Sequence, residues 1–411
     1  MSARTIQRRP RTPPRAVGLR YRRSVTQTAR SAAVRELSDI SPQAGAPLTD
    51  VGVIGGGILG LATAFAIVER GASVTVYERG VPGNAQSGGE SRVFRHAHDD
   101  PRLVSMACDA RAIWREWEER FGRELLSRDG VVALGPLAER RLAVLETAGG
   151  VRARAIDGAE LAERLPLLAP YDGFAMLDED GGVIRARAAV EALAGALRAQ
   201  LVSDEVLSVR ATASGTVELR AGGRTAEHGR VVVCAGRGTA ALARGAGLAL
   251  PVRHSAHARL AFPVRGAPPV RLACLQDPSG AFGEAAVYGD ALPGNAAYAV
   301  GLGETPVGDD GGVDDPAGLA AIVDQITAYV TGALPGVEPI PCDVRHCWVT
   351  RLPWGADAIA VWELGGLLVI AGNNLFKHAP ALGRALALAA LGDGLPRHVL
   401  PEATLGAAAA A

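Results

Sequence analysis

The run VGVIGGGILGLATAFAIVERGASVTVYERG, from Val51 to Gly80, constrains the fold of this chain more than any other stretch. Val51, Val53 and Ile54 read as a short buried strand. Gly55, Gly57 and Gly60 fit the pattern G-x-G-x-x-G, Leu61 to Arg70 is a helix of small and apolar residues, and Val74 to Tyr77 leads into Glu78. Each part has a physical task. Gly55 permits a tight turn, Gly57 lets a pyrophosphate approach the backbone, and Gly60 allows the helix to lie close to the strand. The helix N-terminus attracts phosphates, and Glu78 can accept hydrogen bonds from ribose hydroxyls. A glycine triplet alone is an ordinary turn. The strand before it, the helix after it and an acid about 20 residues on make this one a dinucleotide site.

At 411 residues the chain can hold two domains, or one large domain with an inserted lobe. No apolar run is long enough to cross a bilayer, so no membrane association is expected. Five cysteines, an odd number in a large chain, argue against a disulfide framework and for a reducing, cytoplasmic setting. The net charge of zero hides an asymmetry: ten arginines fall in the first 35 residues, with only Glu36 and Asp39 as acids before Asp50. The remainder, 33 basic and 41 acidic residues, is mildly acidic, which argues against a nucleic-acid partner. Residues 1–47, rich in Arg, Pro, Ser and Thr, are expected to be a disordered basic extension, with a transit peptide or an over-long start as alternatives. Arg8-Arg9 lacks the apolar segment that an export signal needs.

Further along, Pro101 to Arg123 reads as a helix with Trp114 and Trp117 on one face, most simply as core. Val131 to Leu134, Gly182 to Ile184 and the buried run Arg230 to Cys234 read as strands, and Val206 to Val209 with Val217 to Leu219 as a small antiparallel element. From Pro251 to Pro339 alternating strands and many glycines predict an antiparallel sheet with one helix near Leu319 to Val330. The nucleotide-binding texture then returns with the strand Leu367 to Ile370 and the helix opened by AGNNLFKHAP. The fold class is α/β (α+β overall): a discontinuous Rossmann-type domain (48–134, 182–250 and 343–395) with an inserted antiparallel-sheet substrate lobe (135–181 and 251–342), then a tail, 396–411. Ligands in such folds sit where the two units meet.

Of 43 basic residues 42 are arginine, and the one lysine is Lys377, at the mouth of that last helix. A GC-rich coding bias leaves stray lysines, mostly on the surface. A compact ammonium retained at this place instead points to a site where a planar guanidinium would not fit.

The loop GNAQSGGESRVFRHAH, Gly83 to His98, resembles that of the monomeric sarcosine oxidase and N-methyltryptophan oxidase group, within the D-amino-acid-oxidase-like FAD amine oxidases. The resemblance runs from about Asp50 to Leu391. It rests on the glycine fingerprint, on S-R-x-x-R-H-A at Ser91 to Ala97, and on His346-Cys347-Trp348-Val349-Thr350 followed by AGNNLFKHAP. It implies FAD bound covalently through a cysteine sulfur at the ring's 8α methyl, with Cys347 in that position. Arg345, His346 and Arg351 lie near Cys347 in sequence and could favour a thiolate. A small core cysteine, or a metal site of Cys342, His346 and Cys347, are the other readings; no second Cys/His group completes a tetrahedral set, so no metal is expected. By position Arg92 would lie against the flavin, and Arg95 and Lys377 would clamp a substrate carboxylate and aim its Cα–H at the ring. A structural pair with Asp99 or Asp100 is the plainer account of Arg95. Further candidate cofactor contacts are Ile58 beside the glycines, Arg79 after Glu78, Ser91 before Arg92, Val206, Gly236, and Gly372, Asn374 and Phe376 of the last turn, whose amides would stabilise negative charge on the reduced ring.

The resemblance implies oxidation of a small secondary or cyclic amino acid to an imine, with O2 as electron acceptor, by a monomer. Two departures stand out. The family's second lysine, in the roofing sheet, is absent from Tyr298 to Gly301, which leaves Arg92, His254 or His257 to activate oxygen, or makes the enzyme a dehydrogenase. The motif NNLFKH is nearer to relatives that oxidise cyclic imino acids such as piperideine-2-carboxylate, although Asn374 stands where those place an aromatic residue. A flavin-binding subunit of a larger complex is the reading from another class.

Overall fold

The computed structural model describes residues 50–284, 286–307 and 315–407. The basic extension 1–47 and the final alanines 408–411 lie outside the described residues.

Val51–Ile54 is a strand because four apolar or small residues are buried on both faces, as in a parallel sheet covered on both sides. It is central in a six-stranded sheet with the order Ile359–Leu364, Leu367–Gly372, Arg230–Val233, Val51–Ile54, Val74–Glu78, Leu201–Ser203. All neighbours are parallel except the edge pair Ile359–Leu364 and Leu367–Gly372. Alternate side chains point to opposite faces. Val53, Val76, Val232 and Leu368 meet the helices Ile58–Val68 and Leu375–Leu391. Ile54, Tyr77, Val231 and Val369 meet a small antiparallel sheet made of Val206–Ala211, Val217–Ala221 and Arg224–His228.

The glycine turn is dictated by contact. Gly55 has a φ of +104°, and a Cβ there would lie 2.4 Å from the Cys234 carbonyl oxygen. A Cβ on Gly60 would lie 1.9 Å from the Gly55 carbonyl oxygen, which is why the helix starts so close to the strand.

The second sheet has eight strands, in the order Asp343–Arg351, Arg253–Pro263, Ala297–Pro306, Val287–Ala291, Cys274–Asp277, Val131–Leu134, Ala175–Asp178, Ala153–Ile156. It is antiparallel except for one parallel pair, Cys274–Asp277 with Val131–Leu134. Ala258, Leu260 and Phe262 pack in one core cluster with Ile322, Ile326 and Tyr329 of the helix Pro316–Ala333, while the alternate residues His257 and Arg259 line a cavity. Val131–Leu134 and Asp343–Arg351, which the sequence places in the nucleotide-binding part, run in this sheet. The stretch after 396, expected as a tail, is docked as far as it is described: Val399 and Leu405 are buried in the main core, and the Trp354 indole donates to the Leu405 carbonyl at 3.1 Å.

Candidate cofactor and substrate site

The cavity, about 580 Å³, runs from the glycine turn (Gly57, Ile58) past Arg92 and Cys347 to the last strand–helix turn, Gly372 to Lys377. Ten of the residues expected at the site line it: Gly57, Ile58, Arg92, Arg95, Gly236, Cys347, Gly372, Asn374, Phe376 and Lys377. Six do not. Gly55 and Gly60 build the turn behind it. Ser91 is buried and holds Arg259, Arg79 is exposed and pairs with Glu205 at 3.0 Å, and Val206 opens a strand of the small antiparallel sheet and packs in the core beneath it. Glu78 accepts from the Gly56 amide at 2.7 Å and the Gly80 amide at 2.8 Å, so it clasps the glycine turn; each carboxylate oxygen keeps a second lone pair for a hydroxyl.

The Arg92 guanidinium donates to the carbonyls of Ser91 at 2.7 Å, Gln86 at 3.3 Å and Gly88, and lies 5.6 Å from the Phe376 ring. Burial, then the neighbouring Arg259, lowers its pKa. Arg259 donates to the Ser91 carbonyl and hydroxyl, both at 2.9 Å, and to Asp290, forming a fully buried ion pair. Burial is the largest single influence and opposes that charge, but Asp290, Tyr288, Cys347 and Cys274 together outweigh it and the Arg259 pKa is raised. Cys347 stands opposite His257 on the adjacent strand. The guanidiniums that act on its sulfur include Arg92 and Arg259, whereas Arg345 turns away to Asp343 at 2.9 Å. His257 Nε2 shares a 3.0 Å hydrogen bond with the Tyr288 hydroxyl, and burial pushes its pKa down to about 4, so the ring is neutral near pH 7. Of the cations considered for oxygen activation, His257 therefore drops out.

At the other end, Arg95 pairs with Asp357 at 2.8 Å and donates to the Ala97 carbonyl. Neither Asp99 nor Asp100 is its partner: Asp99 forms a bidentate pair with Arg141, and Asp100 caps the helix Pro101–Phe121 and binds Arg102. Asp357 also accepts from His98 Nδ1 at 2.8 Å and from the Asn374 amide. Burial would raise its carboxyl, but Arg95, Lys377 and His98 together hold it well below the usual range. Asn374, at φ +55°, bends the chain into the helix Leu375–Leu391 and brings Lys377 into its first turn. That turn is fixed by Trp114, whose indole donates to the Lys377 carbonyl at 3.1 Å and whose ring stacks parallel to Phe376. Trp114 is core, as its spacing implies, and it also positions the lysine. Lys377 is 4% exposed, and burial above all, then Arg95, pushes its pKa well below the ordinary lysine value.

These residues fit FAD. The turn offers glycine backbone to a pyrophosphate, and the buried Gln86 Oε1 on the cavity wall lacks a hydrogen-bond partner within the protein. Among the described residues no group of three or more His, Cys, Asp or Glu could hold a metal. Sequence reasoning misses Asp357, Arg141, Arg259 and Asp290. No motif marks them, because each enters the site through pairing across the fold.

A nucleotide-binding parallel sheet, covered by helices on one face and a small antiparallel sheet on the other, joined to a mixed sheet with the cavity reached from both, defines a dinucleotide-dependent enzyme architecture. Residues 50–389 match the family described as DAO, FAD dependent oxidoreductase, and the chain belongs to that family. A search of the curated proteins finds no match. Among solved structures, the chain is similar to NikD, an unusual amino acid oxidase essential for nikkomycin biosynthesis, at 23% identity and TM-score 0.72, covering 88% of this chain and 98% of that one. It is similar to L-proline dehydrogenase from P. horikoshii at 20% identity and TM-score 0.73 (87% and 96% covered), and to glycine oxidase from Geobacillus kaustophilus at 21% and 0.70 (88% and 99%). At these identities the likeness is one of fold. No helix among the described residues is long and apolar enough to cross a membrane.

Proposed function

We propose that this FAD-dependent oxidoreductase is a sarcosine oxidase-like amine oxidase that converts a small secondary or cyclic amino acid to its imine. The glycine turn, Arg92 and the Gly372–Phe376 turn would hold FAD, which would supply a two-electron acceptor for the hydride from the carbon beside the substrate nitrogen, with O2 as the final acceptor and hydrogen peroxide as its product. The observation that carries this reading is the pairing of Arg95 and Lys377 on one wall of a cavity that also receives the glycine turn. Arg95 and Lys377 share a single carboxylate, Asp357, which leaves donors for a second carboxylate, and charge-assisted bonds to it orient the amino acid. That the similar structures are of an amino acid oxidase, an L-proline dehydrogenase and a glycine oxidase supports the substrate class.

Cys347 is the proposed point of covalent attachment: it lines the cavity together with Arg92 and Arg259. The proposed oxygen-side cations are the same two guanidiniums. Ala299, in the stretch that lacks the expected lysine, is paired with Asp290, and Arg259 reaches Asp290 across that strand from its other neighbour. That missing lysine favours a second reading, a dehydrogenase that hands electrons to a carrier.

The test is a screen of N-methyl amino acids, pipecolate, proline and piperideine-2-carboxylate on the isolated chain, read by peroxide release and by anaerobic bleaching. Bleaching with peroxide supports the oxidase; bleaching without peroxide, and slow reoxidation in air, supports the dehydrogenase. No bleaching with any of them overturns the amino-acid reading and leaves a flavin-binding subunit.

A further inference from the structure

Four charged or titratable groups surround Lys377 besides its helix neighbour His378. Arg95 and His98 follow the strand Ser91–Phe94, Arg141 comes from the helix Gly135–Ala148, and Asp357 from the loop before Ile359. The helix Pro101–Phe121 packs against the lysine's turn through Trp114. Arg141 is matched by Asp99, and Asp357 by Arg95. His98 is neutral: its Nδ1 hydrogen goes to Asp357, and burial, Lys377 and Arg95 hold its pKa well below the ordinary value. His378 is buried with both ring nitrogens unpartnered and is held neutral in the same way. The Lys377 amine makes no hydrogen bond or ion pair among the described residues, although it lines the cavity. A charged Lys377 would therefore leave one uncompensated buried cation, whereas a neutral Lys377 leaves the cluster balanced.

An α-amino acid arrives as a zwitterion, but hydride loss needs the free amine, because only an unshared nitrogen pair can stabilise the developing iminium. We propose that Lys377 takes the proton of the substrate's ammonium, so that one residue both grips the carboxylate and releases the reactive amine. The ammonium N–H bond breaks, its electron pair stays on the substrate nitrogen, and the proton forms a new N–H bond on Lys377 Nζ. The site gains no charge: a neutral lysine plus a zwitterion becomes a lysine ammonium plus an amino carboxylate. The two substrate groups share one carbon, so an amine that reaches the carboxylate is within about one hydrogen bond of the ammonium. Asp357 is a poorer acceptor, since Arg95, His98 and Asn374 already occupy it. The inference rests on the amino-acid reading above.

The test uses the flavin-loaded enzyme and two isosteres. α-Methylproline has no Cα hydrogen to lose, and 1-methylcyclopentanecarboxylate replaces its nitrogen by carbon. Titration calorimetry at mildly alkaline pH, in two buffers of different ionisation enthalpy, counts the protons taken up. The carboxylate should take up about one proton per site from solvent to charge Lys377, and the zwitterion about none, because it brings its own. Equal uptake by both ligands overturns the proposal and leaves the amino-acid reading intact. If neither ligand perturbs the flavin spectrum, the carboxylate clamp itself fails, and the proposal with it. Lys377→Arg supplies a second readout. A permanent cation still grips a carboxylate but accepts no proton, so kcat/KM should rise about tenfold per pH unit towards the substrate amine's own pKa, where the parent profile is level. A level profile in Lys377→Arg overturns the proposal.

Discussion

The Asp357 carboxylate faces the Arg95 guanidinium at 2.8 Å, in the same wall as Lys377. The protein thus supplies an anion of its own to one arm of the proposed substrate clamp, which compensates the buried Arg95 charge before substrate arrives.

Asp357→Asn removes that anion and leaves the Arg95 guanidinium buried without its counter-charge. Folding stability should fall by about 2–3 kcal/mol, less than for a fully enclosed pair because the cavity reaches the group. Added acetate should then raise the melting temperature of the variant more than that of the parent, since it can stand in for the lost carboxylate. A variant that melts with the parent and ignores acetate would show that Asp357 is not the compensating charge.

Gly60→Ala tests the turn. A methyl 1.9 Å from the Gly55 carbonyl oxygen cannot be accommodated by a side-chain shift, because the neighbour is backbone. The helix must move away from the strand, at a cost of about 3 kcal/mol, and its N-terminus leaves the phosphate position. The expected outcome is a folded protein of lower melting temperature that purifies with little flavin colour. Parental flavin content in this variant would separate the glycine turn from cofactor binding.

Cys347→Ala tests attachment. The parent, precipitated in acid, should retain a yellow pellet, whereas the variant should release its flavin into the supernatant. A parent that releases its flavin refutes the thioether, and Cys347 is then simply a half-buried residue of the cavity wall.

The parts of this molecule legible in the sequence are those encoded by local pattern. Val51 to Glu78 declares strand, turn, helix and strand through hydrophobic period and through glycines that only one backbone path can use. Lys377 was visible because a single ammonium among 42 arginines is a compositional outlier. Arg95 was visible too, but its partner was not. Asp99 and Asp100 are near in sequence, whereas Asp357, more than 250 residues away, meets Arg95 only once the last strand pair closes the sheet. The Arg259–Asp290 pair is hidden for the same reason: it joins alternate residues of two strands in a sheet whose order cannot be read from any one of them. Domain edges suffered likewise. Val131–Leu134 is apolar enough for either sheet, and its neighbours, not its composition, decide which one it joins.

His257 gives a prediction in which the sign is fixed by burial. The unfolded chain carries a histidine of pKa about 6.5, whereas the folded ring, buried beside the Tyr288 hydroxyl, titrates at about 4. Above about pH 6.5 neither state is protonated and the residue costs nothing. As the pH falls from there, the unfolded chain takes up a proton that the folded one refuses, so stability drops by about 1.4 kcal/mol per pH unit and levels off near pH 4, a total loss of about 3 kcal/mol. His98 and His378 are depressed as well and add to the slope of the parent, so the informative quantity is the difference from His257→Gln, which cannot titrate. Denaturant unfolding of both proteins across this range should show the parent losing stability relative to the variant on acidification. A difference that does not change with pH would mean that His257 is solvated in the folded protein and remains a candidate cation beside Cys347.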